Sequence, residues 1–250
     1  MAEFQEVQEF VRQSREVADL DVLKGLVESI SREFGFTYFL LAHHVNLIAP
    51  NYVQLSNYPE DWSNEMRRQS QFAADPVLRA CQKTAAPFQW SEIDRLIKVS
   101  PAQRDILRRA AHAGIGPGFT VPVHIPGECT GSGSFAVAAG RELNAAAMPY
   151  VQFVTSFGFE AARKLCLKAA HLNFNVADVP GLTPRQLDCI VLMAQGKSDW
   201  TVGRLLGLSQ RTVQEHIDNA RKKYGVGSRH QLIVRTLFDN QLGFEDIIRA

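Results

Sequence analysis

Residues 196–226 read GKSDWTVGRLLGLSQRTVQEHIDNARKKYGV, and this stretch decides the architecture of the C-terminal part. Its proportions are those of a helix-turn-helix: a short helix over 199–206, a turn at Leu206-Gly207-Leu208-Ser209, and a longer helix over 210–224. Gly207 permits the left-handed backbone that ends the first helix. Ser209 has the side chain to cap the second by accepting from its free amides. Val202, Leu205, Leu206, Leu208, Val213 and Ile217 are spaced to lock the two helices together. The longer helix then presents Gln210, Arg211, Gln214, Glu215, Asp218, Arg221 and Lys222, with Gln214 and Asp218 one turn apart on one face. Polar side chains in that position suit base edges in a major groove. Arg221, Lys222, Lys223 and Arg229 are placed for phosphates, and Ser209, Thr212 and Arg211 complete the candidate DNA-binding set. A plain four-helix bundle with a solvated charged face would carry the same pattern.

Outward from this stretch, helical patterns over 184–195 and 229–240 make the C-terminal region a compact all-α four-helix unit. Between Leu182 and Arg235 stand nine Lys/Arg and four Asp/Glu, a local charge of +5 inside a chain of net charge +1. A basic window in a near-neutral chain points to a polyanionic partner there. Residues 173–181, NFNVADVPG, lack periodicity and end in Pro-Gly, which reads as a linker.

Residues 1–172 have a mixed pattern. Apolar residues at helical spacing mark 3–15 and 20–34, with Gly35 as the stop. Strand-like runs cover 36–45, 52–55, 88–90, 119–125 and 132–139. Short helices fall within 61–82, broken at Ala74-Asp75-Pro76, where Asp75 reads as an N-cap and Pro76 as a first helical position. Ser100-Pro101 opens a helix to about 113, residues 114–118 read as a glycine-rich loop, and 143–172 as one long helix. The fold class expected is α+β: an N-terminal α/β/α sandwich with a mostly antiparallel sheet over 1–172, a linker over 173–181, and a helix-turn-helix domain over 182–250.

Several residues carry a further resemblance. Leu182-Thr183-Pro184-Arg185-Gln186, Gly196-Lys197-Ser198, Leu206-Gly207-Leu208-Ser209, Arg211-Thr212-Val213, His216, Asn219 and Lys223-Tyr224-Gly225-Val226 resemble the LuxR-type C-terminal helix-turn-helix over about 60 residues. Upstream, Asn57-Tyr58-Pro59-Glu60-Asp61-Trp62, Asp75-Pro76-Val77, Phe88-Gln89-Trp90-Ser91 and Gly114-Ile115-Gly116-Pro117-Gly118 occur in the order of the acyl-homoserine-lactone-binding domain of quorum-sensing LuxR-family regulators. A phosphorylated receiver is disfavoured, because His43-His44 stand where its first acidic pair belongs.

The resemblance implies roles that suit the ligand's chemistry, since each of its buried polar atoms needs a partner. Trp62 would donate its indole N–H to the lactone carbonyl, Asp75 would accept from the amide N–H, Tyr58 would donate to the acyl carbonyl, and Trp90 would wall the lactone ring. Met66, Val77 and Ile115 would line the tail, with Tyr38, Leu40, Tyr52, Gln54, Leu78, Phe119, Phe135 and Val137. The chain departs from the family at four places. Met66 replaces a second tyrosine, and Ala136 stands where a Ser or Thr is usual, with Ser134 as its substitute on the same face. Gln186 replaces an acidic residue, and Thr201-Val202-Gly203 replaces Glu-Ile-Ala. Gly118 is read as structural.

The function implied is a ligand-responsive transcription factor that binds an acyl-homoserine lactone and, as a homodimer, double-stranded DNA with two-fold symmetry. It would meet RNA polymerase if it is an activator. The surfaces expected to dimerise are the helices over 143–172 and 229–240. A LuxR-type regulator that binds DNA without a ligand is the alternative. An enzyme is disfavoured: no GxSxG, HExxH or HxHxDH occurs, and the seven histidines are scattered. Cys81, Cys129, Cys166 and Cys189 form no CxxC pair, so neither a zinc site nor a disulfide framework is expected, nor any cofactor. The acidic, amphipathic start MAEFQEVQEFVRQ does not resemble a signal peptide, and no apolar run approaches about 20 residues. A cytoplasmic protein without membrane attachment is therefore expected.

Overall fold

The computed structural model describes residues 2–45, 52–68, 74–125, 128–170 and 180–248. They form two compact units, one of residues 2–125 with 129–170 and one of residues 180–248. The linker expected over 173–181 lies outside the described residues except for Pro180 and Gly181.

The first unit runs α1 (Ala2–Glu16), α2 (Leu20–Glu33), β1 (Tyr38–His43), β2 (Gln54–Ser56), α3 (Glu60–Arg68), α4 (Pro76–Cys81), β3 (Phe88–Gln89), α5 (Ile93–Leu96), α6 (Pro101–His112), β4 (Ile115–Val123), β5 (Gly131–Ala138) and α7 (Met148–Ala169). Caps written into the sequence start several helices. Asp19 accepts from the Val22 amide, Asp75 from Val77, and Ser100 with Gln103 forms a reciprocal capping box ahead of Pro101. The five strands stand in the order β2-β1-β5-β4-β3, and every adjacent pair is antiparallel. Helices cover both faces, as the sandwich expectation requires.

Strand alternation divides the core in two. Phe39, Leu41, Phe119, Phe135 and Val137 point to one face and pack with Val7, Phe10, Leu23, Val27, Val154 and Phe159 of α1, α2 and α7. Each fully buried phenylalanine there contributes about 1.5–3 kcal/mol. Ala136 points to the other face and packs with Trp62, Met66, Ile106 and Ile115 under α3 and α6. Centrally placed β5 lets α7 approach closely because Gly131 and Gly133 have no side chains. A β-carbon on Gly133 would lie 2.4 Å from the Thr155 hydroxyl, and one on Gly131 2.5 Å from the Phe159 ring.

Two expectations need correction. The glycine-rich stretch 115–118 is not a loop but the start of β4, with a register irregularity between Ile115 and Gly118. Its glycines are needed because backbones pass closely: a β-carbon at Gly116 would meet the Ala138 carbonyl at 2.6 Å, and one at Gly118 the Phe135 carbonyl at 2.7 Å. The long helix begins at Met148 rather than 143, after a short 3-10 turn that Asn144 caps.

The second unit comprises α8 (Pro184–Ala194), α9 (Asp199–Leu206), α10 (Gln210–Tyr224), α11 (Arg229–Phe238) and a short α12 (Phe244–Ile248). The fifth helix was not expected; it is tied to the end of α8, where the Gln195 amide donates to the Asp246 carbonyl at 2.6 Å. Cys189, Ile190, Val202, Val213, Ile217, Ala220 and Leu232 make the core. No helix among the described residues is long and apolar enough to cross a membrane.

Gly133→Ala tests the closeness of β5 and α7. Overpacking against Thr155, whose hydroxyl is already fixed to the Val151 carbonyl at 2.8 Å, should destabilise the protein by about 1–3 kcal/mol. A denaturant midpoint equal to that of the parent would refute this packing.

Candidate functional site

On the Ala136 face of the sheet, a cavity of about 560 Å³ is lined by Leu40, Gln54, Tyr58, Trp62, Met66 and Asp75, with Lys24, Glu28, Glu60 and Arg67 also on its wall. Tyr58 follows β2 in a turn that side chains hold. The Asn57 carboxamide accepts from the Phe39 amide at 2.7 Å and donates to the Thr37 carbonyl at 3.0 Å. The Ser56 hydroxyl accepts from the Tyr58 amide at 3.0 Å. Trp62 and Met66 lie one turn apart on α3, which Arg109 of α6 secures through an ion pair to Glu65.

Three polar groups converge on this cavity. Neither the Tyr58 hydroxyl nor the Trp62 indole nitrogen has a hydrogen-bond partner among the described residues, although Trp62 is only 6% exposed. Burial pushes the Tyr58 phenol well above its usual range, with the Asp75 charge adding to it. Asp75 caps α4, its Oδ1 accepting from the Val77 amide at 2.8 Å. Burial raises its carboxyl from 3.8 to about 6, against the opposing pull of the Val77 and Leu78 amides. A hydroxyl donor, an N–H donor and a carboxyl poised near neutrality thus share one recess.

Behind the cavity the packing is tight. The Trp90 indole N–H donates to the Thr120 hydroxyl at 2.8 Å, and Thr120 and Ser134 share a hydrogen bond of 2.8 Å. Trp90 and Ile115 pack in the cluster of Trp62, Met66 and Ala136, while Val77 sits beside it with Cys81, Phe88 and Ile93. The structure therefore gathers Tyr58, Trp62, Met66, Trp90 and Ile115 around one point, with Asp75 on the cavity wall and Ser134 reached through Thr120. Thr120 was missed. The alternation of β4 signals it, since Phe119 pointing to one face sends Thr120 to the other. The same alternation corrects the expected tail lining: Phe119, Phe135 and Val137 belong to the opposite face, in the α7 core.

In the second unit, Gly207 ends α9 in the left-handed region at φ 68°. Ser209 caps α10, its hydroxyl accepting from the Thr212 amide at 3.0 Å and pairing with the Thr212 hydroxyl at 2.8 Å. Gly203 is needed for this turn, because a β-carbon there would lie 2.6 Å from the Leu208 carbonyl. Gln210, Arg211, Gln214, Glu215, Asp218 and Lys222 are exposed along α10. Arg211 pairs with Glu215 at 3.2 Å.

The basic residues at the end of α10 divide. Lys222 is exposed, but Lys223 donates to the Gly181 carbonyl at 2.7 Å and the Gln186 side chain at 3.0 Å. Arg221 pairs with Asp218 at 3.0 Å and donates to the Gly227 carbonyl. Arg229 binds Asp199 through both carboxylate oxygens at 2.6 and 2.7 Å. That guanidinium, helped by the Gln214 amide, holds the Asp199 carboxyl below its usual range. Lys223 and Arg229, both expected at phosphates, thus also make contacts within their own unit, whereas Lys222 has no hydrogen-bond or ion-pair partner for its side chain among the described residues.

Comparison with known proteins gives two family matches. A model described as an autoinducer binding domain matches residues 19–162, and one described as bacterial regulatory proteins, luxR family, matches residues 180–236. The chain is 31% identical over 180 residues to the transcriptional activator protein BjaR1 of Bradyrhizobium diazoefficiens, covering 71% of this chain and 70% of that one. It is 29% identical to the HTH-type quorum sensing-dependent transcriptional regulator RpaR of Rhodopseudomonas palustris, covering 92% and 91%. The crystal structure of Escherichia coli SdiA shares the fold at a TM-score of 0.60 and 20% identity, covering 95% of this chain and 98% of that one.

The division among the basic residues is open to measurement. Lys222→Ala should flatten the salt dependence of DNA binding by about one unit of slope. Lys223→Ala should leave that slope unchanged and lower the stability of its unit by about 1 kcal/mol. Salt titrations and melting curves of the two variants separate the roles, and a reduced slope for Lys223→Ala would contradict the inward assignment.

Proposed function

Because the chain belongs to the LuxR family of autoinducer-responsive transcriptional regulators, we propose that its autoinducer is an acyl-homoserine lactone held between β1 and α3. The chain is a quorum-sensing regulator with an autoinducer-binding region and a DNA-binding helix-turn-helix. On our reading residues 1–172 form the sensor, 173–181 the tether and 182–250 the DNA-binding domain.

The observation that carries the ligand proposal is the convergence on one cavity of a phenol and an indole without hydrogen-bond partners among the described residues and of a buried carboxyl. An acyl-homoserine lactone has a matching group for each. Trp62 donates to the lactone carbonyl, Asp75 accepts from the amide N–H, and Tyr58 donates to the acyl carbonyl. Ser134 assists Tyr58. Thr120 accepts from Trp90, so its own hydroxyl is free to donate to Ser134, which leaves the Ser134 proton for the ligand. Trp90 gives the lactone ring an aromatic wall, and Met66, Val77 and Ile115 supply apolar surface.

Ligand binding completes the sensor core and favours a homodimer. We place the dimer surfaces on α7 and α11, which expose Phe153 and Val234. The paired α10 helices then enter successive major grooves of a two-fold-related site, with Gln214 and Asp218 toward base edges. Ser209, Arg211, Thr212 and Lys222 face the backbone, while Glu215 and Arg221 orient their neighbours. The protein acts in the cytoplasm, where it meets RNA polymerase if it is an activator.

The charge state of Asp75 gives a directional test. An N–H donor favours the carboxylate, so ligand binding lowers a carboxyl that sits at about 6 without ligand. The folded value lies above the ordinary 3.8, so the stability Asp75 gives the ligand-free protein is lost as pH rises through about 6. The ligand reverses that loss. Its stabilising shift in melting temperature should therefore grow from about pH 5 to about pH 7, with affinity changing up to roughly tenfold per pH unit below the midpoint. In Asp75→Asn the shift should be smaller by about 1.5–3 kcal/mol of binding and flat with pH. Equal ligand shifts at both pH values in the parent protein would remove Asp75 from the amide.

The DNA reading is tested by Gln214→Ala. Sequence preference should change at one base-pair position by about 1–3 kcal/mol, while affinity for scrambled DNA stays the same. Equal losses on specific and scrambled duplexes would mean that α10 does not read bases through Gln214.

A further inference from the structure

The DNA-binding unit is not the only basic stretch of the chain. Residues 79–112 of the sensor unit hold seven Lys/Arg and three Asp/Glu, a local charge of +4 in a chain of net charge +1. Neither the autoinducer nor the DNA uses it. Each of the three carboxylates is taken by an arginine: Glu92 by Arg95 at 3.3 Å, Asp94 by Arg104 at 3.0 Å, and Asp105 by Arg108 and by Arg109 at 3.0 Å. That leaves Arg79, Lys83 and Lys98, which have no carboxylate partner among the described residues.

These three cations line one cavity, of about 630 Å³, separate from the autoinducer cavity. Small-molecule sites run from about 300 to 1,000 Å³. Arg79 stands on α4, Lys83 just after it, and Lys98 in the connection between α5 and α6. Leu96 and Ile97 add apolar surface, and no carboxylate stands on the wall among the described residues. The frame is fixed by hydrogen bonds. The Lys83 amide donates to the Ala80 carbonyl at 2.9 Å, and the Ile97 amide to the Ile93 carbonyl at 3.0 Å. The Gln103 side chain accepts from the Ser100 amide at 2.9 Å and donates to the Ala74 carbonyl at 3.2 Å. The cations therefore stand on backbone that is already held in place.

We infer that this cavity binds a small anion carrying two or more phosphate groups, with Arg79, Lys83 and Lys98 as its partners. The Arg79 guanidinium offers two parallel donors to one phosphate, and each lysine brings a point charge to another oxygen. Carbon-bound parts of the same molecule have Leu96 and Ile97 to lie on. A recess whose cations come from two separate elements suits a small anion, whereas a duplex presents its phosphates on a convex surface. A bound anion joins α4 to the α5–α6 connection, and so braces the helix that Asp75 starts. The site does not depend on which autoinducer the chain binds.

The test takes the full chain at constant ionic strength, with tripolyphosphate and ATP as probes. Melting temperature measures affinity and hydrogen exchange measures place. Both probes should raise the melting temperature saturably and slow exchange in α4 and at the start of α6. Lys83→Gln combined with Lys98→Gln should weaken both probes at least about tenfold, because each change removes a hydrogen bond to a charged group. Lys168→Gln, on α7 and outside the cavity, should not. Equal affinity for the two probes would assign the site to the phosphate chain alone, and tighter binding of ATP would seat a nucleotide base on Leu96 and Ile97. Three results would overturn the inference: no saturable shift, a shift that the double variant keeps in full, or protection confined to α10, which would put the anion on the DNA-binding face. All three lysines are exposed, so their exchange spares the core.

Discussion

The alternation Gly131-Ser132-Gly133-Ser134 in the middle strand of the sheet is the constraint on which the sensor unit depends. Strand geometry sends successive residues to opposite faces. The glycines leave one face bare, and α7 moves in until Thr155 and Phe159 occupy the space where β-carbons would be. The serines give the other face two buried hydroxyls, each already bonded to a neighbour. One four-residue run thus sets both a close helix–sheet packing and a pair of buried hydroxyls on the face that carries the cavity.

Much of this was legible from local chemistry. Asp75 before Pro76, Ser100 before Pro101, and Ser198, Ser209 and Ser228 before their helices all cap as their residue types suggest. Gly207 and Gly225 close α9 and α10 in the left-handed region. What escaped needed long-range information. The Gly-Pro-Gly signal at 116–118 is the same for a loop and for a strand crowded by its neighbours, and only the pairing with β5 distinguishes them. Which face Phe119 occupies relative to Ile115 depends on a parity that the irregularity between Ile115 and Gly118 shifts. The inward commitment of Lys223 depends on Gly181, 42 residues away.

The DNA-binding unit shows how an altered motif keeps its geometry. Thr201-Val202-Gly203 carries no acidic residue, and the carboxylate that joins α9 to α11 is that of Asp199, two residues earlier. Asp199 is 9% exposed and its partner Arg229 is held through both nitrogens, so the pair fixes orientation as well as distance. Gly203 lets the Leu208 carbonyl approach further than an alanine would allow. The turn between α9 and α10 is correspondingly compact, and the exposed face of α10 inherits its direction from that pair and that turn.

Asp75 is a fold residue and a site residue at once: one carboxylate oxygen begins α4, and the same group stands on the cavity wall. Natural variation at this position is therefore doubly filtered. A substitution that suits a new signal must also start a helix, and few side chains do both. A change of ligand preference that spares the fold is therefore easier at Leu40 or Met66, which stand on the same cavity wall and start no helix.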